Sequence, residues 1–501
     1  MRRVLALVGV VALLLSPMVP AAAASTVTNG CVASVPEPGT TTPVRICYSL
    51  FKPATATAQH TVPLIFHSHG WGGSRTTDPA AFKAWLDAGF GVLSFDQRSF
   101  GQSTGVAHVM NPDYEGRDVV KLVDLVAGLD WVTQQRPGDP LIGAIGGSYG
   151  GGYQFAGAFT ELRDSGRTRF DALAPEITWW DLKQSLAPQE AARTLWLTSL
   201  FAVGGTHLPP AVSAAFVQLI ATGGWPTGKA GRDLDAFFAH NGPAWHVRQG
   251  RKLDIPVLFG QGITDNLFNL NEGLANFDRA LTARARAKSI FVGYNGGHTL
   301  PSVVPPGYGT AGDPCSITLG SSSFSALALR FMRLRLLHQD TGLSGFGTYH
   351  LSTADGRCLT QRNLTPNQRY PLGKIVAPTG VGLPVNLPIA KGPVTVAGTP
   401  TLTADVYTVV PRSAAYFALS VGKNPLTAKV VQNNTMPLRE KSTARGVRRT
   451  IELPAIAVDV PAGQNLYLTV APVADMYAGQ RGPLPGVMML KNGTLNVHLT
   501  R

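Results

Sequence analysis

From about residue 62 to residue 337, short apolar runs alternate with stretches in which apolar residues recur at helical spacing. Residues 63–68, Pro-Leu-Ile-Phe-His-Ser, read as a buried strand entering the glycine-rich turn His69-Gly70-Trp71-Gly72-Gly73. A helix is expected over 80–88 and a second strand over 90–96. Over 116–134, Val119, Val123, Val126 and Leu129 share one helical face, and 141–145 is again a strand. Strands over 255–260 and 289–293 and a helix over 324–338 complete the series. Strands alternating with helices predict a parallel sheet covered on both faces.

Two departures divide the chain. Between 175 and 249 the rhythm gives way to a stretch rich in Trp, Phe and Ala, with helical runs around 189–201 and 211–221. It reads as a helical cap placed over the sheet. Beyond about residue 345, Pro and Gly punctuate runs rich in Val, Thr and Leu, with no helical spacing between them. Such short strands predict a β-sandwich of jelly-roll type. Lys491-Asn492-Gly493-Thr494 separates the apolar runs 487–490 and 495–499, and Asn-Gly predicts a hairpin there. The expected organisation is a leader over 1–24, an α/β unit over 25–342 with its cap at about 175–250, and a β-sandwich over 343–501.

The leader reading rests on composition. Arg2 and Arg3 form a basic start, residues 4–15 an apolar stretch, and Ala21 to Ala24 a small-residue cleavage site. That stretch is shorter than the roughly 20 residues of a membrane span, so export and release are expected. Four cysteines suit an exported chain, and pairing by proximity gives Cys31–Cys47 and Cys315–Cys358, with the other two connectivities left open. None has CxxC spacing, so no zinc or redox-motif site, and no metal, is expected. The net charge of +13 is scattered. Its densest patches, 279–288 and 439–449, lack the interleaved aromatics of a nucleic-acid surface, so no nucleic-acid partner is expected.

The chemistry concentrates at Gly146-Gly147-Ser148-Tyr149-Gly150, a G-x-S-x-G pattern between an apolar strand and a potential helix. A serine on so sharp a turn needs glycine neighbours, because side chains there would collide with the adjoining backbone. A phosphate loop is the rival reading, and the missing Gly-Lys-Ser/Thr argues against it. A nucleophilic serine needs a base, and the base a carboxylate. Asp265 follows the strand at 255–260, and His298 follows the strand at 289–293 through Asn295-Gly296-Gly297. That order, Ser then Asp then His, is the one such a strand series uses. Asp278 is a distant competitor for the acid, while His67, His69, His207, His240 and His246 compete for the base. The backbone N–H groups of Tyr149 and Trp71 are the expected oxyanion donors, with Gly72 as alternative to Trp71, and His69 is expected to brace that loop.

At these residues the chain resembles the α/β-hydrolase superfamily, in particular its Xaa-Pro dipeptidyl-peptidase and cocaine-esterase-like members. The likeness lies in the elbow, in Phe95-Asp96-Gln97-Arg98-Ser99-Phe100-Gly101-Gln102-Ser103-Thr104-Gly105, in Leu129-Asp130-Trp131, and in Gly262-Ile263-Thr264-Asp265-Asn266-Leu267-Phe268. A sandwich after the catalytic unit extends it over most of the chain. The resemblance implies a helical cap, hydrolysis of acyl esters or amides, and no cofactor. Many members place a Tyr hydroxyl in the oxyanion hole from an Arg-x-Pro-Tyr-like loop, whereas His69-Gly70-Trp71-Gly72 looks more like an esterase or lipase loop. The expected partner is a small ester or peptide, possible Xaa-Pro peptides included. A secreted lipase or polyester hydrolase is the alternative, as is a surface-binding protein with an inert hydrolase unit. Among the cap aromatics Trp179, Trp180, Trp196, Phe201, Trp225 and Trp245, one or two are expected to line an apolar acyl pocket.

Overall fold

The computed structural model of the protein describes residues 25–298, 307–308, 312–478 and 485–500. The expected leader, 1–24, lies outside the described residues. Ten strands form the principal sheet: β1 (Thr26–Ser34), β2 (Val44–Lys52), β3 (Leu64–Ser68), β4 (Gly91–Phe95), β5 (Ile142–Gly147), β6 (Phe170–Glu176), β7 (Leu258–Gly262), β8 (Ile290–Tyr294), β9 (Tyr349–Ser352) and β10 (Cys358–Gln361). Their spatial order is β1-β2-β4-β3-β5-β6-β7-β8-β9-β10. From β4 to β9 neighbouring strands run parallel, while the pairs β1–β2, β2–β4 and β9–β10 are antiparallel.

Alternation along each strand explains why the sheet is covered on both faces. Leu64, Phe66, Phe259 and Phe291 point to one side, where they meet Val119, Leu122, Phe159 and Phe277. Ile65, Leu258, Ile290 and Val292 point to the other, against Trp85, Leu86, Leu327 and Phe331. The helices carrying these residues are α1 (Lys83–Asp87), α2 (Glu115–Ala127) and α3 (Tyr149–Ser165), and, beyond the cap, α9 (Leu270–Arg279) and α12 (Phe324–Leu336). The cap itself consists of α4 (Leu182–Leu186), α5 (Thr194–Gly204), α6 (Pro210–Thr222), α7 (Gly228–Phe238) and α8 (Pro243–Arg248). Two short helices, α10 (Ala283–Arg286) and α11 (Pro314–Thr318), complete the set. Among the described residues no helix is long and apolar enough to cross a membrane.

Several sequence expectations shift. The helix expected over 116–134 stops at Ala127, because Gly128 caps it and Val132 then bridges to Val62 at the sheet. The strands β9 and β10 follow the expected unit boundary at 342/343, yet they extend the principal sheet. The hairpin expected at Asn492-Gly493 is not formed. Gly486–Thr500 is one continuous strand, and its register against Val394–Thr408 shifts between Thr403↔Thr494 and Asp405↔Lys491. Asn492 takes φ 50° and donates to the Asp405 carboxylate at 2.8 Å, so Asn-Gly here makes a β-bulge rather than a turn.

The C-terminal region is all-β and mainly antiparallel, in two sheets. One contains Val385–Lys391, Ala414–Gly422, Met436–Arg439 and Asn465–Ala471; the other is built around Val394–Thr408 and Gly486–Thr500. Phe417, Leu419, Leu466 and Leu468 of the first pack against Val396, Leu402, Leu490 and Leu495 of the second in a shared apolar core. Both cysteine pairs are joined, Cys31 with Cys47 and Cys315 with Cys358.

Candidate active site

The elbow is built as its glycines require. Ser148 stands between β5 and α3 at φ 58°, ψ −121°, a conformation L-residues rarely adopt. A Cβ on Gly146 would lie 2.6 Å from the Gly150 carbonyl oxygen, and one on Gly150 would lie 2.4 Å from that of Ser68. Main-chain bonds hold the strained residue: its N–H donates to Glu176 O at 2.9 Å, and its carbonyl accepts from Gly151 at 2.8 Å and Gly152 at 3.0 Å.

The turn after β3 lies beside this serine, since a Cβ on Gly70 would come within 3.9 Å of Ser148 Cβ. His69 braces the turn. Its Nδ1–H donates to Gly70 O at 2.8 Å, its Nε2 accepts the Gln97 N–H at 3.1 Å, and burial holds the imidazole below its ordinary pKa. Trp71 anchors the turn to the cap, donating from Nε1 to Leu200 O at 2.9 Å. Its ring meets Tyr149 and Phe100 edge-on, each at 5.0 Å. Among the described residues, the main-chain N–H groups of Trp71 and Tyr149 make no hydrogen bond.

Asp265 follows β7 and is fully buried. Its Oδ1 accepts the Leu267 N–H at 2.8 Å and the Phe268 N–H at 3.0 Å, and its Oδ2 meets His298 Nδ1 at 2.8 Å. The loop after β8 must come close for this. Gly297 at φ 97° would place a Cβ 2.9 Å from Asp265 Oδ2, so only glycine fits. Edge-on contacts from Trp196 at 5.7 Å and Phe268 at 5.4 Å hold the His298 ring.

The competing residues are engaged elsewhere. Asp278 bonds to the Tyr349 hydroxyl and pairs with Arg286 at 3.2 Å. His67 bonds to Ser94 Oγ at 3.0 Å, and burial lowers its pKa to about 4. His246 stacks on Phe159, and burial beside Arg251 lowers it to about 3. His207 bonds to Ser99, and His240 packs on Trp245.

Two further residues of the site were not singled out in the sequence. Glu176 ends β6, accepts from the Tyr294 hydroxyl at 2.5 Å, and is pushed above its ordinary pKa by burial, with His298 acting in the opposite sense. Only its place at the end of an apolar run, paired with Gly147, could have marked it. Asn434, from the all-β region, donates to the main-chain oxygen of Asp265 at 2.8 Å, and no local signal announces that contact.

Ser148 opens into a narrow, apolar pocket beneath the cap. Of the cap aromatics, Trp179 and Phe201 line it. Trp225 packs on Phe238, and Trp245 on His240 and His246. A larger cleft of about 980 Å³ lies between α9 and the all-β region, but contains neither Ser148, Asp265 nor His298. Size therefore points away from the chemistry here, and the smaller pocket is the relevant one.

Comparison with known proteins gives the family and the fold. Residues 42–299, just over half of the chain, match the family model described as X-Pro dipeptidyl-peptidase (S15 family). An uncharacterized 31.7 kDa Escherichia coli protein from the traX-finO intergenic region is 32% identical over 102 residues, 20% of this chain and 34% of that protein. The match thus spans about a third of that relative. Among solved structures, a CocE/NonD family hydrolase from Staphylococcus aureus aligns over 94% of each chain, at 13% identity and a TM-score of 0.63. An α-amino acid ester hydrolase aligns over 97% of this chain and 100% of its own, at 12% identity and a TM-score of 0.60. An aminopeptidase from a marine sediment archaeon, Thaumarchaeota archaeon, aligns over 95% and 97%, also at 12% and 0.60. At these identities the likeness is one of fold: an α/β-hydrolase sheet followed by an all-β region.

Proposed function

The chain belongs to the X-Pro dipeptidyl-peptidase (S15) family, and from that premise we propose that it is a secreted serine hydrolase whose triad is Ser148, Asp265 and His298. Family membership makes it a hydrolase of ester or peptide type; the assignment of roles is our reading. The observation that carries it is the 2.8 Å bond between His298 Nδ1 and a fully buried Asp265 that also accepts two main-chain N–H groups. That bond fixes the imidazole tautomer with its proton on Nδ1 and leaves Nε2 as base. Two disulfides support export to an oxidising compartment.

In this reading His298 removes the Ser148 proton as Oγ attacks the substrate carbonyl. Negative charge collects on the former carbonyl oxygen, where the unengaged N–H groups of Trp71 and Tyr149 stabilise it. His298 then hands its proton to the leaving alcohol or amine, giving an acyl-enzyme. Water, deprotonated by the same imidazole, releases the acid and regenerates Ser148. No cofactor is needed.

Labelling with a fluorophosphonate tests the assignment. Wild type is expected to be labelled at Ser148, while Ser148→Ala loses labelling and at least about a thousandfold of its esterase kcat. A wild-type protein that stays unlabelled and hydrolyses no ester would refute it.

A further inference from the structure

We propose that the acyl half of the substrate is an uncharged hydrocarbon chain seated in the pocket beside Ser148, and that a substrate with an ammonium group next to the scissile carbonyl is rejected. The proposal deepens the serine-hydrolase reading above and rests on it. Its ground is the chemistry of the wall. Leu182, Leu200, Phe201 and Phe216 come from the cap, and Leu267 and Phe268 from the acid loop. Among the described residues, no carboxylate, ammonium, guanidinium or imidazole group lines this pocket.

Glu176, beside the elbow, stands outside the pocket wall and accepts from the Tyr294 hydroxyl at 2.5 Å, and other carboxylates around the pocket are engaged. Asp265 holds His298 and two main-chain N–H groups. Glu272 accepts from the N–H groups of Trp180 and Asp181 at 2.8 and 3.0 Å. Glu115 accepts from those of His108 and Asn111 at 2.6 and 3.0 Å. A positively charged amine entering the pocket would therefore shed its water and find no counter-charge, which is strongly unfavourable. A methylene entering the same space gains from leaving water, roughly fourfold in binding per group when fully buried.

Shape narrows the choice further. The pocket is small, about 60 Å³ against about 980 Å³ in the cleft beside α9. Its wall is fixed, with Trp179 tied through Nε1 to Asn241 O at 2.8 Å and Trp71 to Leu200 O at 2.9 Å. Leu267 and Phe268 also present their main-chain N–H groups to Asp265, so the segment that receives the acyl chain is the one that holds the acid. An apolar chain packed on their side chains presses on the same turn that orients His298.

The test compares substrates that differ in one group. Methyl acetate, butyrate and hexanoate and the methyl ester of norleucine, which is hexanoate bearing an α-amine, are followed by pH-stat with the full exported protein. At pH 7 that amine is mostly protonated. Active serine is counted in parallel with a fluorophosphonate. The expected result is a kcat/KM at least about tenfold higher for hexanoate than acetate, and about sixfold lower for the norleucine ester than for hexanoate, because an amine of pKa about 7.7 is still neutral in roughly one molecule in six at pH 7. A flat chain-length series, a norleucine ester cleaved as well as hexanoate, or no cleavage of any ester by a protein that still labels at Ser148 would overturn the proposal and leave the serine-hydrolase reading standing. Absence of both labelling and hydrolysis would overturn the reading itself, and the proposal with it.

Discussion

Asp265 accepts on both carboxylate oxygens, and all of its partners are donors. An amide in its place must turn one NH₂ toward a donor, either His298 or the paired N–H groups of Leu267 and Phe268. Asp265→Asn is therefore expected to lower kcat by about 10⁴-fold through the wrong imidazole tautomer. Steady-state kinetics, with circular dichroism as a check on folding, measures this. The same residues show what could be read from the chain. Ser148, Asp265 and His298 each follow an apolar strand in the order the chemistry needs, and a local pattern suffices to nominate them. Glu176 could not be nominated so, because its nearness to the elbow comes from β6 lying next to β5 across the sheet. Nor could the indole bond of Trp71 to Leu200, which joins residues 129 positions apart.

Helix α9 carries a buried acid facing the cap. Burial pushes the Glu272 carboxyl up to about 7 from the usual 4.5, even though the Trp180 and Asp181 N–H groups favour its charged form. Between those two values the folded chain keeps a proton that the unfolded chain releases, so this group makes stability fall as pH rises through the window. The size is roughly 3 kcal/mol, an upper figure at about 1.4 kcal/mol per pH unit. Glu272→Gln is expected to reduce the loss of stability between pH 5 and pH 8, seen as a smaller shift of the urea midpoint. Elements of this kind were legible where period and punctuation agreed, as in β3, β4, β7, β8 and α12. They were misread where a residue type has two uses. Asn492-Gly493 suits a hairpin turn or a bulge, and the choice falls to Val394–Thr408, which pairs along both halves of the long strand. The strands β1, β2, β9 and β10, the outer two at each margin of the sheet, were missed altogether. β1, β2 and β10 mix buried with exposed or half-exposed positions, and β9 is buried but only four residues long and carries His350 and Ser352 among its apolar residues.

The two parts of the molecule meet at the loops that carry Asp265 and Asn295. The turn between Lys429–Val431 and Met436–Arg439 carries Gln432 and Asn434 inward, both fully buried. Gln432 donates to Ser352 O at 3.0 Å on β9 and accepts the Ala457 N–H at 2.9 Å, while Asn434 reaches Asp265 O. From the cap, Arg193 donates to Asn266 O at 2.5 Å. The acid loop is thus held from two sides, by Asn434 and by Arg193, residues far apart in the chain. Asn434→Ala would leave the buried Asp265 carbonyl without this donor, at a cost of about 1–3 kcal/mol. The expected outcome is a lower kcat with KM little changed, because the acid loosens while the elbow keeps its own bonds; thermal melting should register the stability loss.

The cysteines carry a mechanical consequence. Cys31 and Cys47 face each other across β1 and β2, one margin of the principal sheet, while Cys358 on β10, at the other margin, is tied to α11 through Cys315. The sheet is hemmed at both ends of its strand order. A force that starts to peel β1 away passes at Cys31 straight into β2, so the tear cannot run inward one hydrogen bond at a time. A cut anywhere between residues 32 and 46 leaves both pieces attached, so that margin of the sheet survives a single break in the loop between its two outer strands.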